Sequence, residues 1–254
     1  EGVMFKYKNE IMKRCLELTE PVFGPYEYQV LDVSMNRRRA LNSLIIGQPN
    51  NIYIAPADSE WDAKTIAIKI PIRKGLLSYR LLLVHKDNLD KFSSVKTLED
   101  LKLLTAGLRV GWVTADIFKT SAIESTLSPT FEGLFLQLKN RRFDYLPRSL
   151  YEVFDDLTIR PEILKDVVIE PNIALFIPMP TYIYVSNKEP QIAKRLEAGL
   201  KLLVNNGELD VILNRHYGQA ITNANIEGRT VIKIPNPYFD IDNNAFDHKH
   251  WLML

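Results

Sequence analysis

The sequence predicts an α/β fold of the two-lobed kind, with two crossover strands and a ligand cleft between the lobes. Three observations lead there. Runs with a strand's two-residue period alternate with runs at helical spacing along the whole chain. Two long β-rich segments, 65–86 and 173–187, flank a central block that itself alternates strand and helix. That layout suits a chain that builds one lobe, crosses over, builds a second and crosses back, and it implies closure about a hinge. Finally, 254 residues at 46% hydrophobic and 25% charged content are enough to bury a substantial core.

The elements follow in order. Residues 9–19 place Ile11, Met12, Cys15, Leu16 and Leu18 at helical spacing, and the segment from Pro21 to Pro25 stops the helix. Cys15 reads as a core residue. YEYQVLDVS (26–34) reads as a strand with Tyr26, Tyr28, Val30 and Leu31 facing inward. MNRRRALNSLIIG (35–47) reads as a helix closed by Gly47, with Arg37, Arg38 and Arg39 on a solvated face. NIYIAPA (51–57) is a short strand ended by its proline, and 65–86 holds two β-type runs separated by KGLL. Thr97 and Asp100 have the spacing of a capping box. LRVGWV (108–113) is then a strand and TADIFKTSAI begins a helix. EGLFLQLKN (132–140) is helical and leads into RRFDYLPRSL (141–150), an aromatic strand that stops at Pro147. DVVIE and IALFIPMPTYIYVSN return to strand character. Residues 189–218 read as helical, with Ile192, Leu196, Leu200 and Leu203 on one face and Gly218 as the stop. TVIKIPNP (230–237) is the last apolar run.

Several function classes lose support here. A net charge of +1 gives no electrostatic reason to expect nucleic acid or an anionic membrane as partner. No apolar run approaches the roughly 20 residues needed to cross a bilayer. The start, EGVMFKYKNE, is polar and lacks the apolar core of a signal peptide, so export would rest on a targeting segment outside this sequence. One cysteine excludes an internal disulfide framework and any multi-cysteine metal site. No HExxH, GxSxG, Walker A or GxGxxG pattern occurs. His248 and His250 read as a solvated tail, and Asp155–Asp156 as a solvated turn. The expectation is therefore a monomer without catalytic residues, metal or cofactor.

Four stretches carry a family resemblance: EWDAKTIAIKIPIRKGLLSYRLLLV (60–84), KTLEDLKLLTAGLRVGW (96–112), RRFDYLPRSLYEV (141–153) and GELDVILNRHYG (207–218). In this order they resemble the bacterial periplasmic solute-binding proteins of the type II fold, in particular family 3, the amino-acid-binding branch and its poorly characterised relatives. The likeness runs from about residue 9 to IPNPYF. It implies a first lobe from 1–84 and 185–254, and a second from 87–182. It also implies a periplasmic location and binding of a small polar ligand, amino-acid-like or a small carboxylate, without chemistry. The partner would be an ABC-type membrane importer or a sensor. The other readings are the sensing domain of a signalling protein or regulator, and an enzyme on the same scaffold. The chain departs from the family at DSEWDAK (58–64), where Trp61 stands in place of an arginine that holds the ligand carboxylate, and at GWVTAD, where a Gly-Thr/Ser pair is usual.

Candidate ligand contacts follow. Arg148, just past the proline of β-type RRFDYLPRSL, would offer a two-pronged guanidinium to an anionic group, with Ser149 adding a hydroxyl. Its other reading is an ion pair within the protein. Trp112 and Thr114 lie at a strand-to-helix junction, where amide donors meet a bound anion. Ser59, Glu60 and Trp61 follow a strand and are expected at a rim, while Gly75 and Tyr79 lie near the first crossover. Asp144 reads as structural.

Overall fold

A computed structural model describes residues 2–31, 35–239 and 251, and divides them into two compact units. The first unit takes the described residues of 1–75 and 179–219 with Trp251; the second takes 76–178 and 220–239. The chain runs α1 (Val3–Phe23), α2 (Arg37–Ile46), β1 (Ile52–Pro56), α3 (Ser59–Lys64), β2 (Ile66–Ile68) and β3 (Tyr79–His85). It continues through α4 (Leu98–Leu101), β4 (Ala106–Arg109), α5 (Val113–Thr120), β5 (Ser125–Ser128), α6 (Phe131–Lys139) and β6 (Tyr145–Ser149). Then come α7 (Val153–Ile159), β7 (Val167–Phe176), β8 (Thr181–Val185), α8 (Pro190–Asn205), α9 (Glu208–Ala224) and β9 (Thr230–Lys233).

The first unit is built on a three-stranded antiparallel sheet in the order β1-β8-β2. Its centre, TYIYV of β8, is buried at every position. Helix α1 buries Tyr7, Ile11, Met12, Cys15, Leu16 and Thr19, the stripe that a 3.6-residue period produces. Pro21 sits inside its last turn rather than ending it; the end is Gly24, which leaves the helix at φ 80°. α8 crosses α1 so closely that a Cβ on Gly199 would stand 2.7 Å from the Cys15 backbone.

Three expectations fail along these segments. The described part of YEYQVLDVS, 26–31, belongs to neither sheet, and Val30 and Leu31 are exposed; residues 32–34 lie outside the described residues. Alternating side chains favour a strand, but a strand forms only where a neighbour takes its hydrogen bonds. The 189–218 run is two helices rather than one, because Gly207 adopts φ 76° between α8 and α9. Gly218 does not stop α9, which continues to Ala224.

The second unit holds a six-stranded sheet in the order β5-β4-β6-β3-β7-β9. β4 is parallel to β5 and to β6, β7 is parallel to β9, and β3 is antiparallel to both its neighbours. Every residue of β3, YRLLLVH, is buried, as a strand paired on both sides requires. This pairing explains where the units divide. The sequence reading puts residues up to 84 and after 185 in the first lobe. In the structure β3 is interior to the second unit's sheet, and β9 closes that sheet through β7.

Pro147 also behaves differently from expectation: it lies inside β6, opposite Leu82, and the strand continues through Ser149. The Tyr145 amide donates to the Thr105 carbonyl, on the β4 side of the strand. Pro147, two residues on, faces the same side, and there β4 pairs with β6 only at Ala106↔Tyr145. The missing N–H therefore breaks no ladder bond. Asp144 has a structural role, as expected, but at the strand's start, accepting from the Thr105 amide at 2.9 Å and from Lys91 at 2.6 Å.

Gly199 tests the packing of the first unit. Gly199→Ala forces a methyl into the Cys15 backbone and is expected to cost about 1–3 kcal/mol in urea unfolding, despite alanine's better helix propensity. An unchanged or raised midpoint would show that α1 and α8 do not approach this closely.

Candidate ligand-binding site

The five parallel strands of the second unit end on one edge of its sheet, where β3 begins. From β4 the chain turns outward to β5, then crosses back over β4 to β6. The connections after β4 and β6, to β5 and to β7, thus run in opposite directions, so the strand order reverses outside the carboxyl ends of β4 and β6. This topological switch point is where open α/β sheets take ligands. Three helices start around it: α5 after Trp112, α6 after Thr130 and α7 after Glu152.

Arg148 arrives here at the end of β6, but not as a free fork. Its Nε donates to Asp156 at 2.5 Å, and its Nη1 lies 3.3 Å from Glu152. The guanidinium carbon stands 5.4 Å from the Trp112 ring centre and 5.0 Å from that of Phe131, so the cation is stacked as well as paired. Only 5% of the residue is exposed. Ser149 turns its hydroxyl to Glu152 at 2.6 Å. Both residues therefore spend the groups expected for a ligand on the protein's own carboxylates.

Arg160 extends the network. It bonds Asp156 at 3.2 Å and both oxygens of Glu132, and it lies 4.1 Å above the Phe135 ring. The network corrects a second expectation: Asp156 is buried between two guanidiniums, not in a solvated turn. Burial alone would raise the Glu152 carboxyl, but Arg148, Arg80 and two hydrogen bonds from Ser149 outweigh it and hold it below the usual range. For Asp156 burial wins over Arg148 and Arg160 and pushes the carboxyl up.

Other polar groups at the edge are less committed. Trp112, at the N-cap of α5, offers no side-chain oxygen to the first-turn amides; the Ala115 amide donates to the Trp112 carbonyl at 2.9 Å, and those of Val113 and Thr114 keep their donor capacity. Thr114 is 4% exposed, and its hydroxyl has no hydrogen-bond partner among the described residues. Tyr79 opens β3 on the same edge, buried and edge-on to Phe176 at 5.0 Å. The structure thus brings Arg148, Ser149, Trp112, Thr114 and Tyr79 to one edge of one sheet.

The remaining candidates belong to the first unit. Asp58 caps α3 by accepting from the amides of Glu60 and Trp61, and pairs with Arg37 at 2.9 Å. Ser59 and Glu60 are exposed on that helix, with Glu60 bonded to Lys64. Trp61 is not a rim residue: it is 1% exposed, packed against Tyr53 and Tyr184, with Arg37 5.0 Å from its ring centre. A six-residue helix lying on the Tyr53–Tyr184 face of the sheet turns its one large apolar side chain inward. Gly75, at φ 75°, lies under the ring of Trp251, where a Cβ would stand 2.3 Å from a ring carbon.

Glu132, Glu152 and Arg160 escaped the sequence reading, and Asp156 was read only as part of a solvated turn. The signal was present in Arg148, Glu152, Asp156 and Arg160, charges spaced by four residues from the strand end through α7.

No protein-family model matches the chain, and no curated protein matches it. Solved structures do. An ancestral arginine-binding protein bound to glutamine superposes with a TM-score of 0.58 at 18% identity, over 82% of this chain and 87% of that one. The substrate-binding protein of an amino acid ABC transporter gives 0.57 at 16% identity, over 84% and 88%. An amino acid ABC transporter substrate-binding protein from Streptococcus pneumoniae, bound to L-arginine, gives 0.57 at 14% identity, over 82% of each chain. At these identities the likeness is one of fold, and the chain has the α/β fold of these substrate-binding proteins.

Two outcomes follow from the ion-pair network. Arg148→Ala takes from Asp156 one of its two guanidiniums and from Glu152 its ion-pair partner, and is expected to lower unfolding free energy by about 3–5 kcal/mol; a loss under about 1 kcal/mol would mean that the pairs are solvated. The Glu152 carboxyl, held low in the native state, contributes stability above its ordinary value of 4.5 and loses it as pH falls through the lowered one. The stability difference between wild type and Glu152→Gln should therefore be flat near neutrality and shrink below about pH 4.5, with the Asp156 contribution common to both. A difference independent of pH would remove the native-state pairing of Glu152.

Proposed function

We propose that this protein is an extracytoplasmic solute-binding protein that takes a small polar ligand for an ABC-type importer, and that the second unit receives the ligand at its switch point. One observation carries the location: Trp112, Thr114, Arg148, Ser149 and Tyr79, separated widely in sequence, meet at the carboxyl edge where the connections diverge. The fold supports the class of function, because the solved structures that share it are substrate-binding proteins.

The groups at this edge suggest how a ligand is held. The Val113 and Thr114 amides at the start of α5 and the Thr114 hydroxyl supply donors to a carbonyl or carboxylate oxygen. Trp112, half-buried, gives a flat apolar wall whose position is fixed by its stack on Arg148. Arg148 itself has Nε and Nη1 engaged, so it contributes a single donor edge rather than a fork. Its main task is to hold Trp112 in place.

A thermal-shift screen of amino acids, small carboxylates, amines and vitamins tests the reading. A true ligand at about 100 times its Kd adds roughly 2.7 kcal/mol of apparent stability, and Trp112→Ala should weaken its binding without a matching loss of fold. A screen in which no compound raises the melting temperature would count against a binding protein. Full affinity in Trp112→Ala would move the site elsewhere.

A further inference from the structure

The switch-point edge holds three guanidiniums and three carboxylates in one connected group. Arg148 pairs with Asp156 and Glu152, Arg160 pairs with Asp156 and Glu132, and Arg80 lies opposite Ser149 on β3, within electrostatic reach of Glu152. Their formal charges cancel, so this edge offers no net positive field to an incoming anion.

The three carboxylates are not equivalent. Asp156 has a side chain 7% exposed and is clamped by two arginines. Glu132, 58% exposed, is held by both prongs of Arg160 on the α6 side. Glu152 is intermediate at 29%, and its hold on Arg148 is the long one, 3.3 Å against 2.5 Å for Asp156. It stands at the end of β6, tethered by the Ser149 hydroxyl, and is the carboxylate that a molecule entering beside Arg148 and Trp112 would meet.

We propose that Glu152 sets the charge class of the ligand: it cancels the remaining charge of Arg148 and repels a second anion, so the site takes net-neutral or cationic polar molecules and rejects net-negative ones. This inference rests on the binding reading above and sharpens it. Like charges brought together at a desolvated contact are a strong means of exclusion, and specificity by repulsion needs only one placed carboxylate. Removing that charge would leave the edge with one excess positive charge and a second free prong on Arg148, which suits a carboxylate.

Glutamine and glutamate differ by one amide-for-carboxylate exchange, and arginine and succinate extend the charge series in both directions. Affinities of all four are measured calorimetrically for wild type, Glu152→Gln and the charge-keeping Glu152→Asp, after melting curves show that each is folded. The expected result is a wild type that binds glutamine or arginine in preference to glutamate and succinate, a preference that falls at least tenfold in Glu152→Gln and survives in Glu152→Asp. Should Glu152→Gln fail to fold, Glu152→Met removes the same charge at similar volume and carries the same expectation. Binding with an unchanged charge preference in the neutral variant, or a wild type that prefers glutamate, overturns the role of Glu152 while leaving the binding function intact. If none of the four binds wild type or variant, this inference is overturned, while the binding reading stands or falls on the wider thermal-shift screen.

Discussion

A guanidinium taken out of water costs several kcal/mol unless carboxylates replace its hydration, and the second unit is arranged around meeting that demand for Arg148. Asp156 reaches it from α7 and Glu152 from the turn before that helix, so the course of the chain after β6 is tied to the strand that carries the arginine. Trp112 and Phe131 cover the flat faces of the cation from two other connections, those that follow β4 and β5. One side chain thereby sets the relative positions of three loops on one sheet edge. Arg160 repeats the device one layer out, with Glu132 and Phe135.

This arrangement shapes what the edge can offer a ligand. A buried ion pair adds little net stability compared with apolar packing, because desolvation offsets its attraction. What it provides is position: the guanidinium can satisfy both carboxylates only in one geometry, and Trp112 is held against it. Besides the remaining edge of Arg148, the donors left over are neutral ones, the Val113 and Thr114 amides and the Thr114 hydroxyl. On the proposed reading, hydrogen bonding and shape would hold the ligand, and Glu152 would exclude the wrong charge. Pro147 fits the same logic, since it sits where β4 and β6 have ceased to pair and the crevice opens between them.

Much of the fold was legible because it follows from local pattern. Gly47 closes α2, the Thr97–Asp100 box opens α4, and the apolar runs VVIE and YIYV mark β7 and β8. Legibility ended where tertiary partners decide. YEYQVL alternates like a strand but lies in neither sheet, and the pairing of β3 on both sides could not be read from its composition. The site was half legible. Arg148 and Ser149 do lie at the end of β6 and Trp112 and Thr114 at the β4-to-α5 junction, as read, whereas Asp156 was read as part of a solvated turn and Glu132, Glu152 and Arg160 carried no reading. The four-residue spacing of charges after Arg148 is a helix-face signal, but only the β6-to-α7 turn shows that the face looks back at the strand. Trp61 was misplaced for a simpler reason: sequence shows that it follows a strand, not which way a short helix will turn it.

The most direct test of the account is a double-mutant cycle on Arg148→Gln and Asp156→Asn, read by urea unfolding. If the guanidinium and carboxylate form the buried pair on which the edge depends, the two changes will be strongly non-additive, with a coupling of roughly 1–3 kcal/mol that changes little with added salt. Additive losses, or a coupling that disappears at high ionic strength, would mean that Arg148 is solvent-facing and that the edge is organised by something else.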